Sequence, residues 1–414
     1  MEIELKGVVD VGNSEHGSFI DEEMMLQPST ISKLRKKPFY EDLDLSVVMA
    51  KDKLFEELVV EIDSPEIKTS AMYSIGQAAI EGQRHYTHTN LRGSSEEKGK
   101  RFSDVPIIMT VATFAARAVQ KAYKNSGELP TAISLTADMI TGLPVREYNQ
   151  SNAQYFAERF TKHQHNVKVL LGAQQSVEVA VNFDFVKVFP EASTAMWAIW
   201  KDRKKEVRTG YFFKEFEEAY AEKLKLEGIK EVDGSYFIDK RVLHMDIGEG
   251  TTEFPITNGL VPDQKMTNGS DNGIGYAIES ILEEYRSKVK LNKAQRHNVS
   301  KVLKDKKHKY HKVAMELIEG PLEGQAEDIV NAAAGYMTDA NNEIDVVVVY
   351  GGGSILLKEY LYPALLEECE DRGIMLLYIP ETDAATLYLE GLNVILTNGA
   401  FDALKKKALE TSKG

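Results

Sequence analysis

The residues best suited to chemistry are two carboxylates, each ending an apolar run and leading into a turn of glycines and small polar side chains. The fuller copy is His244-Met-Asp-Ile-Gly-Glu-Gly-Thr-Thr252, with Asp246 at the end of a strand, Gly248 and Gly250 in the turn, and Thr251 and Thr252 opening a second strand. The reduced copy is Asp10-Val-Gly-Asn-Ser14, which supplies Asp10, Gly12, Asn13 and Ser14 before a returning strand. Such a turn is how a backbone bends around a phosphate. Glycines let main-chain N–H groups approach the oxygens, hydroxyls add donors, and a carboxylate at the strand end can hold Mg²⁺ through water. Either stretch alone is more commonly an ordinary β-turn, because hairpins need glycines too. Two hairpins of one design, roughly half the chain apart, suggest two related domains facing a shared phosphate chain.

Two more groups join them. Glu191 stands in Phe189-Pro-Glu-Ala-Ser193, where a strand gives way to a helix expected to begin at Pro190 and Glu191. It reads either as a first-turn acid complementing the helix dipole or as a carboxylate that positions an attacking water. Trp197 and Trp200, three apart, read as core. Farther on, the β-branched run 344–350 has the pattern of a strand buried on both faces and stops at Gly351, Gly352, Gly353 and Ser354. Three glycines there leave room for a flat base or ribose. A close-packed strand–helix crossing would rarely need so many.

The elements that must position these residues follow the same logic. A capped helix is expected over 104–125, with Asp104 as the cap, Pro106 in its first turn and a buried stripe of Ile107, Val111, Phe114, Ala118 and Tyr123. A strand over 132–140, a helix over 151–162 and a hairpin of 167–171 with 177–189 lead into Glu191. Between 33 and 105 the pattern is irregular, with strand-like runs at 45–49 and 58–62 and a polar loop at 85–100. The charged stretch 201–230 suggests one peripheral helix whose stripe of Phe212, Phe213, Phe216, Tyr220 and Leu224 serves packing or a subunit contact. Helices are expected at 325–337 and 356–370.

At 414 residues the chain has room for two domains, and its 43% hydrophobic and 28% charged content are those of a soluble globular protein. A single cysteine, Cys369, excludes an internal disulfide framework and fits a reducing cytoplasm. The N-terminus lacks the basic and apolar regions of a signal peptide, and no run is long enough to span a membrane. The net charge of −14 argues against a chain built to coat nucleic acid. Charge is nevertheless uneven: 286–312 holds eleven lysines and arginines against one acid, Asp305. A solvated helical face is the plain reading, with a lateral filament contact or an acidic or nucleic-acid partner as alternatives. His163, His165, His308 and His311 have no acidic ligand at hand, so no metal is expected there.

Taken in order, these motifs resemble the actin-like ATPase superfamily. The first phosphate motif matches Asp10-Val-Gly-Asn-Ser14, the first connector Phe189-Pro-Glu-Ala-Ser193, and the second phosphate motif Asp246-Ile-Gly-Glu-Gly-Thr-Thr252. The adenosine motif matches Val349-Tyr-Gly-Gly-Gly-Ser354 and the second connector Leu396-Thr-Asn-Gly-Ala-Phe-Asp402. Five matches in the right order span nearly the whole chain. The Gly-Leu-Pro-x-x-Glu-Tyr segment at 142–148 and the hairpin into Phe-Pro-Glu are similar to bacterial plasmid-segregation actins of the ParM type.

The resemblance implies an α/β, actin-like fold of two related domains, each with a mixed five-stranded sheet flanked by helices, and a nucleotide in the interdomain cleft. Domain I is expected over 1–190, with an inserted small subdomain at about 36–105 and a C-terminal segment, 383–414, returning to it. Domain II is expected over 191–382, with an insert at about 266–325. ATP or GTP with Mg²⁺ is implied. Asp10 and Asp246 would hold the hydrated metal and Glu191 would orient the attacking water. Gly12, Asn13 and Ser14 would contact phosphates from one side and Gly248, Gly250, Thr251 and Thr252 from the other, with Gly351 to Ser354 bordering the adenosine. Partners would be further copies joined head to tail and a DNA-bound adaptor at the filament end, without membrane or sequence-specific nucleic-acid binding. The expected function is a nucleotide-hydrolysing, cytoplasmic filament for plasmid or DNA segregation. Alternatives are a small-molecule kinase of the sugar or acetate class and a shape or scaffold filament. A chaperone ATPase would need a peptide-binding domain for which no sequence remains.

Overall fold

In β1 (Glu2–Val11) burial alternates at first and then becomes nearly continuous from Gly7, as expected for a strand whose later part is covered on both faces. The computed structural model describes residues 1–49, 53–81, 87–88, 99–263, 265–266 and 268–411. The expected polar loop at 85–100 lies largely outside them. Among the described residues the chain divides into two compact units, one of Met1–Pro190 with Ile395–Gly414 and one of Glu191–Val394.

The first unit is built on one mixed sheet. Its strands are β1, β2 (Glu15–Ile20), β3 (Glu23–Pro28), β4 (Thr30–Leu34), β5 (Val59–Asp63), β6 (Ala71–Ile75), β7 (Thr87–His88), β8 (Ala132–Leu143), β9 (His165–Leu170) and β10 (Ser176–Pro190). Their spatial order is β3-β2-β1-β8-β10-β9-β5-β6-β4-β7. β1, β8 and β10 run parallel, whereas β2 and β3 return antiparallel. The five strands from β3 to β10 form the expected mixed sheet, but it does not stop there. β9 pairs with β5, so residues from 36–105 extend the same sheet through β5, β6 and β7. Parallel neighbours require crossovers, and the helices Asp104–Ser126 and Gln150–Thr161 supply them. The first is buried almost all round, beyond the single stripe expected, and β1 meets it at Gly7, where a Cβ would lie 2.9 Å from Phe114. Ser103, not Asp104, caps it, its hydroxyl accepting from the N–H of Val105. Asp104 instead accepts from the N–H of Lys68 and from Arg159. The helix Ala400–Thr411 returns to this unit, tied by Lys405 to Asp138 at 2.7 Å and by Lys6 to Asp402 at 2.9 Å.

The second unit repeats the plan. β11 (Arg241–Ile247) has antiparallel returns in β12 (Thr252–Phe254) and β13 (Ile256–Asn258), edged by β14 (Val261–Pro262) and β15 (Asn268–Ser270). β16 (Val346–Tyr350) and β17 (Met375–Tyr378) then add in parallel. The crossovers are the helices His311–Asp339, longer than expected and continuous through Pro321, and Gly352–Glu370. Strand, antiparallel return, helix, parallel strand, helix, parallel strand thus occurs in both units. Among the described residues no helix is long and apolar enough to cross a membrane.

Two local expectations change. Residues 45–48 form a short helix, not a strand. The stretch 201–230 is no single helix but three short helical segments, Gly210–Phe213, Lys214–Ala219 and Ala221–Leu226. Phe212, Phe213 and Phe216 are buried, the last two against Phe237 and Phe212 against Phe213, so the aromatic stripe is consumed by packing within the unit. A buried ionic knot fastens this segment: Arg208 lies 2.9 Å from Glu390 and 3.3 Å from Asp383, and its guanidinium lies over the Phe212 ring. Glu390 is only 2% exposed and also accepts from Arg203, so Arg208→Ala removes one of its two guanidinium partners together with the pairing to Asp383, and should cost about 2–3 kcal/mol in a denaturant titration. A loss below about 1 kcal/mol would mean that the knot is solvated like a surface pair.

Candidate functional site

The two turns singled out by sequence have one geometry. In the first, the N–H of Gly12 donates to the carbonyl of Glu15 at 2.9 Å, and Asp10 stands opposite Gly17 in the β1–β2 ladder. In the second, the N–H of Gly248 donates to the carbonyl of Thr251, also at 2.9 Å, and Asp246 stands opposite Glu253 in the β11–β12 ladder. Counting from each aspartate, the closing bond and the pairing fall at the same offsets. Each aspartate also ends a strand whose next neighbour is parallel, so it sits at the edge where that sheet's crossover loops emerge.

The surroundings of the two aspartates differ. Asp10 faces Lys100, a fully buried lysine whose Nζ lies 3.3 Å from Oδ1. The backbone N–H of Lys100 donates to the Glu147 carboxylate, and a Cβ on Gly99 would lie 2.6 Å from that carboxylate and displace it. Nothing in the local pattern around Lys100 marks it, because its partner is ninety residues away. Asp246 has an acid beside it instead: Glu253 occupies the same rung and is 5% exposed. A buried acid in Thr252-Glu253-Phe254 is the one signal that could have drawn notice to it.

The glycine run lies against the second turn. Gly351 has φ +91°, and a Cβ there would come within 2.5 Å of Asp246 Oδ1 and 2.7 Å of the Ile247 nitrogen. On Gly353 it would come within 2.8 Å of the Ile247 carbonyl. The helix begins at Gly352, earlier than expected, so the glycines form its first turn. Ser354 is buried and its hydroxyl donates to the carbonyl of Gly351 at 2.8 Å. Thr252 is buried as well and donates to the carbonyl of Asn272 at 3.0 Å. Both hydroxyls shape the loops that carry them.

Glu191 does not begin a helix. β10 ends at Pro190, residues 191–194 form a turn, and the helix is Ala195–Trp200. The next residue, Ala192, is buried with φ +65°, a left-handed conformation that costs about 1–3 kcal/mol outside glycine and persists only where the surroundings enforce it. Here the enforcement is visible. Tyr350, the last residue of β16, donates its hydroxyl to the carbonyl of Ala192 at 2.8 Å. Behind it, His244 Nδ1 lies 3.4 Å from that hydroxyl and Nε2 lies 3.1 Å from Thr257 Oγ1. One neutral tautomer fits the whole chain of bonds, with Nδ1–H donating to Tyr350 and Thr257 donating to Nε2. Burial, with the Asp246 and Glu253 charges adding, raises the Tyr350 phenol well above its ordinary range, so it remains a donor. Glu191 therefore stands on a turn pinned to the strand that carries the glycine run. Trp197 and Trp200 lie half-buried against each other.

Twice-repeated sheets of this order, each with its aspartate turn, make the actin-like fold. The comparisons agree: the model of the actin-like protein N-terminal domain matches residues 8–193, and that of the archaeal MreB-like actin homologue C-terminal domain matches 244–362. The chain belongs to the actin-like superfamily. Among solved structures it is similar to the actin-like protein Alp7A, with TM-score 0.68 and 18% identity over the whole of both chains. ParM of Bacillus thuringiensis with ATP has TM-score 0.59 and 16% identity, covering 97% of this chain and 99% of that one. The archaeal actin homologue Ta0583 has TM-score 0.58 and 13% identity, covering 95% and 99%. No curated protein matches the chain by sequence.

The buried imidazoles make a pH test. Burial, with Lys100 adding, lowers His16 to about 3, and burial alone lowers His244 to about 3. Each is neutral when folded, so its contribution to stability is complete above 6.5, the ordinary value, and is lost as pH falls towards 3. In that window the unfolded chain takes up a proton that the folded chain refuses, at about 1.4 kcal/mol per pH unit for each imidazole. His244→Asn should therefore flatten the fall of unfolding free energy between about pH 6 and pH 5 by about that slope. Parallel wild-type and variant lines would show that His244 is not held neutral.

Proposed function

We propose that this protein is a cytoplasmic filament-forming ATPase that binds ATP, or GTP, with Mg²⁺, assembles head to tail with copies of itself, and hydrolyses the nucleotide as the switch for disassembly. Movement of plasmid or other DNA through a DNA-bound adaptor is the role that suits such a filament. The observation carrying this reading is the pair of aspartate turns with the same closing bond and pairing offsets, one in each repeat of the fold. It is supported by the similar ParM structures with ATP, AMPPNP and ADP, and by a further ParM of similar fold made non-polymerisable in a quadruple mutant.

The donor set suits the ligands. Asp10 and Asp246 offer hard oxygen to a hydrated Mg²⁺, which when bound would neutralise charge on the phosphates. Asn13 and Ser14 on one turn, and Gly250 and Thr251 on the other, would present N–H groups and side chains to phosphate oxygens, while Gly12 and Gly248, whose N–H groups close the turns, would let the backbone come near. Thr252 and Ser354, whose hydroxyls are engaged within the loops, would act by holding those loops in shape. Gly352, with nothing within 4 Å of a Cβ position, would leave a face open to the adenosine, while Gly351 and Gly353 let the start of the helix lie close against the second turn. Glu191 would hold the attacking water in line with the leaving oxygen, and the backbone donors would stabilise charge that develops on the transferred phosphoryl. A head-to-tail contact is heterologous, so it propagates unless its rotation closes a ring.

Sedimentation with ATP, GTP or a non-hydrolysable analogue tests the reading. Polymer should pellet with a triphosphate, and the analogue's polymer should persist. Hydrolysis, or phosphate transfer to a sugar or acetate, without any polymer would overturn it in favour of a small-molecule kinase. Glu191→Ala should still polymerise, with phosphate release slowed by about 10²-fold or more and filaments that outlast those of the wild type. Wild-type phosphate release from that variant would remove Glu191 from the role.

A further inference from the structure

Glu249 is an electrostatic contradiction. It stands between Gly248 and Gly250 in a turn whose N–H groups suit an anion, and its own negative charge would repel that anion. The structure resolves the conflict with a residue from the basic segment. Arg296 Nε lies 2.6 Å from Glu249 Oε1, with the glutamate side chain 7% exposed and the arginine 25% exposed. Arg296 is the first residue of the helix Arg296–Lys304, whose start is fixed by a capping box between Gln295 and Asn298. That helix buries Val299, Val302 and Leu303 in the core of the second unit, so the guanidinium projects from a rigid support.

The glutamate is held from its backbone as well. The N–H of Gly275 donates to its carbonyl at 2.7 Å, and the N–H of Ile274 donates to the carbonyl of Gly248 at 3.1 Å. Gly275 also leaves room for the ion pair: a Cβ there would lie 3.1 Å from Glu249 Cγ and 3.4 Å from Arg296 Nη1. By contrast Lys304, Lys306, Lys307 and Lys309 of the same segment are exposed. Arg296 alone among these cations reaches the turn.

We propose that Arg296 is a positioning residue of the phosphate-binding turn, which neutralises and anchors Glu249 so that the turn can accept a nucleoside triphosphate in preference to a diphosphate. The inference rests on the nucleotide reading given above. The preference follows from charge: an uncompensated Glu249 repels a triphosphate more strongly than a diphosphate, so removing Arg296 penalises the triphosphate more.

Binding of fluorescent ADP and of a fluorescent non-hydrolysable ATP analogue to the full chain would be measured for wild type, Arg296→Gln, Arg296→Lys, Glu249→Gln and the double variant Glu249→Gln/Arg296→Gln. Arg296→Gln should weaken the triphosphate analogue by about tenfold, equivalent to about 1.4 kcal/mol, and ADP distinctly less. Arg296→Lys, which keeps the charge, should retain most of the affinity. The double variant should recover to within about twofold of Glu249→Gln, and added salt should narrow the Arg296→Gln deficit. Should Arg296→Gln fail to fold, the Lys and double variants still test the coupling, because both avoid a lone carboxylate in the turn. Equal losses for both nucleotides, or a double variant as weak as Arg296→Gln, would overturn the inference. A wild type that binds neither nucleotide would overturn the nucleotide reading itself, a result distinct from binding without coupling.

Discussion

Parallel pairing of a few short strands is the constraint from which the rest follows. β11 and β16 run side by side in register, so Asp246 and Tyr350 finish on the same rung. A parallel neighbour can be reached only through a crossover, which sends every such strand out at the same edge of the sheet. The aspartate turn, the glycine run and the bond from Tyr350 to Ala192 gather there for topological reasons, before any side chain has a role. β1 and β8 impose the same condition on Asp10. Once two parallel strands end together, the loops after them must share one small space. The near-contacts that a Cβ on Gly351 or Gly353 would make show how little of it is left.

Charge is managed differently in the two turns. Asp10 has the buried ammonium of Lys100 at hand, whereas Asp246 shares its rung with the buried Glu253 and neighbours Glu249, which is tied to Arg296. The first turn is therefore close to balanced by a fully buried lysine, and the second, richer in acid, leans on a partly exposed arginine. His16 and His244, which could have added positive charge next to these strands, are kept neutral by burial. Since an unpaired buried charge costs several kcal/mol, each of these assignments also constrains which neighbours can be replaced.

The features legible in the sequence were those written in consecutive residues. Both hairpins, the glycine run after a β-branched strand and the order of motifs depend on local backbone demands, and the structure builds each where the pattern puts it. What escaped depends on partners far along the chain. Lys100 belongs with Asp10, Arg296 with Glu249 and Tyr350 with Ala192, across separations that no periodicity encodes. The stretch 201–230 misled because its charge and aromatic spacing suit a helix in isolation. Packing onto Phe237 and anchoring of Arg208 on Glu390 accompany its division into three short helical segments. Residues 45–48 misled in the opposite sense, as apolar runs too short for their period to identify them. The sheet of the first unit is wider than five strands because β9, a return strand, offers its second edge to β5.

The return of the helix Ala400–Thr411 to the first unit has a consequence for how the molecule is made. The second unit is one continuous stretch, but the first is interrupted by all of it, and the ion pair of Lys405 with Asp138 closes a separation of 267 residues. On a ribosome delivering residues in order, β1 to β10 emerge long before the helix that covers their flank, while the second unit can complete itself from consecutive residues. A nascent first unit would thus wait, with Phe185 lacking the Phe401 ring that packs on it at 5.4 Å, until the chain beyond Glu191 had been synthesised. The unit that starts first is the one that finishes last.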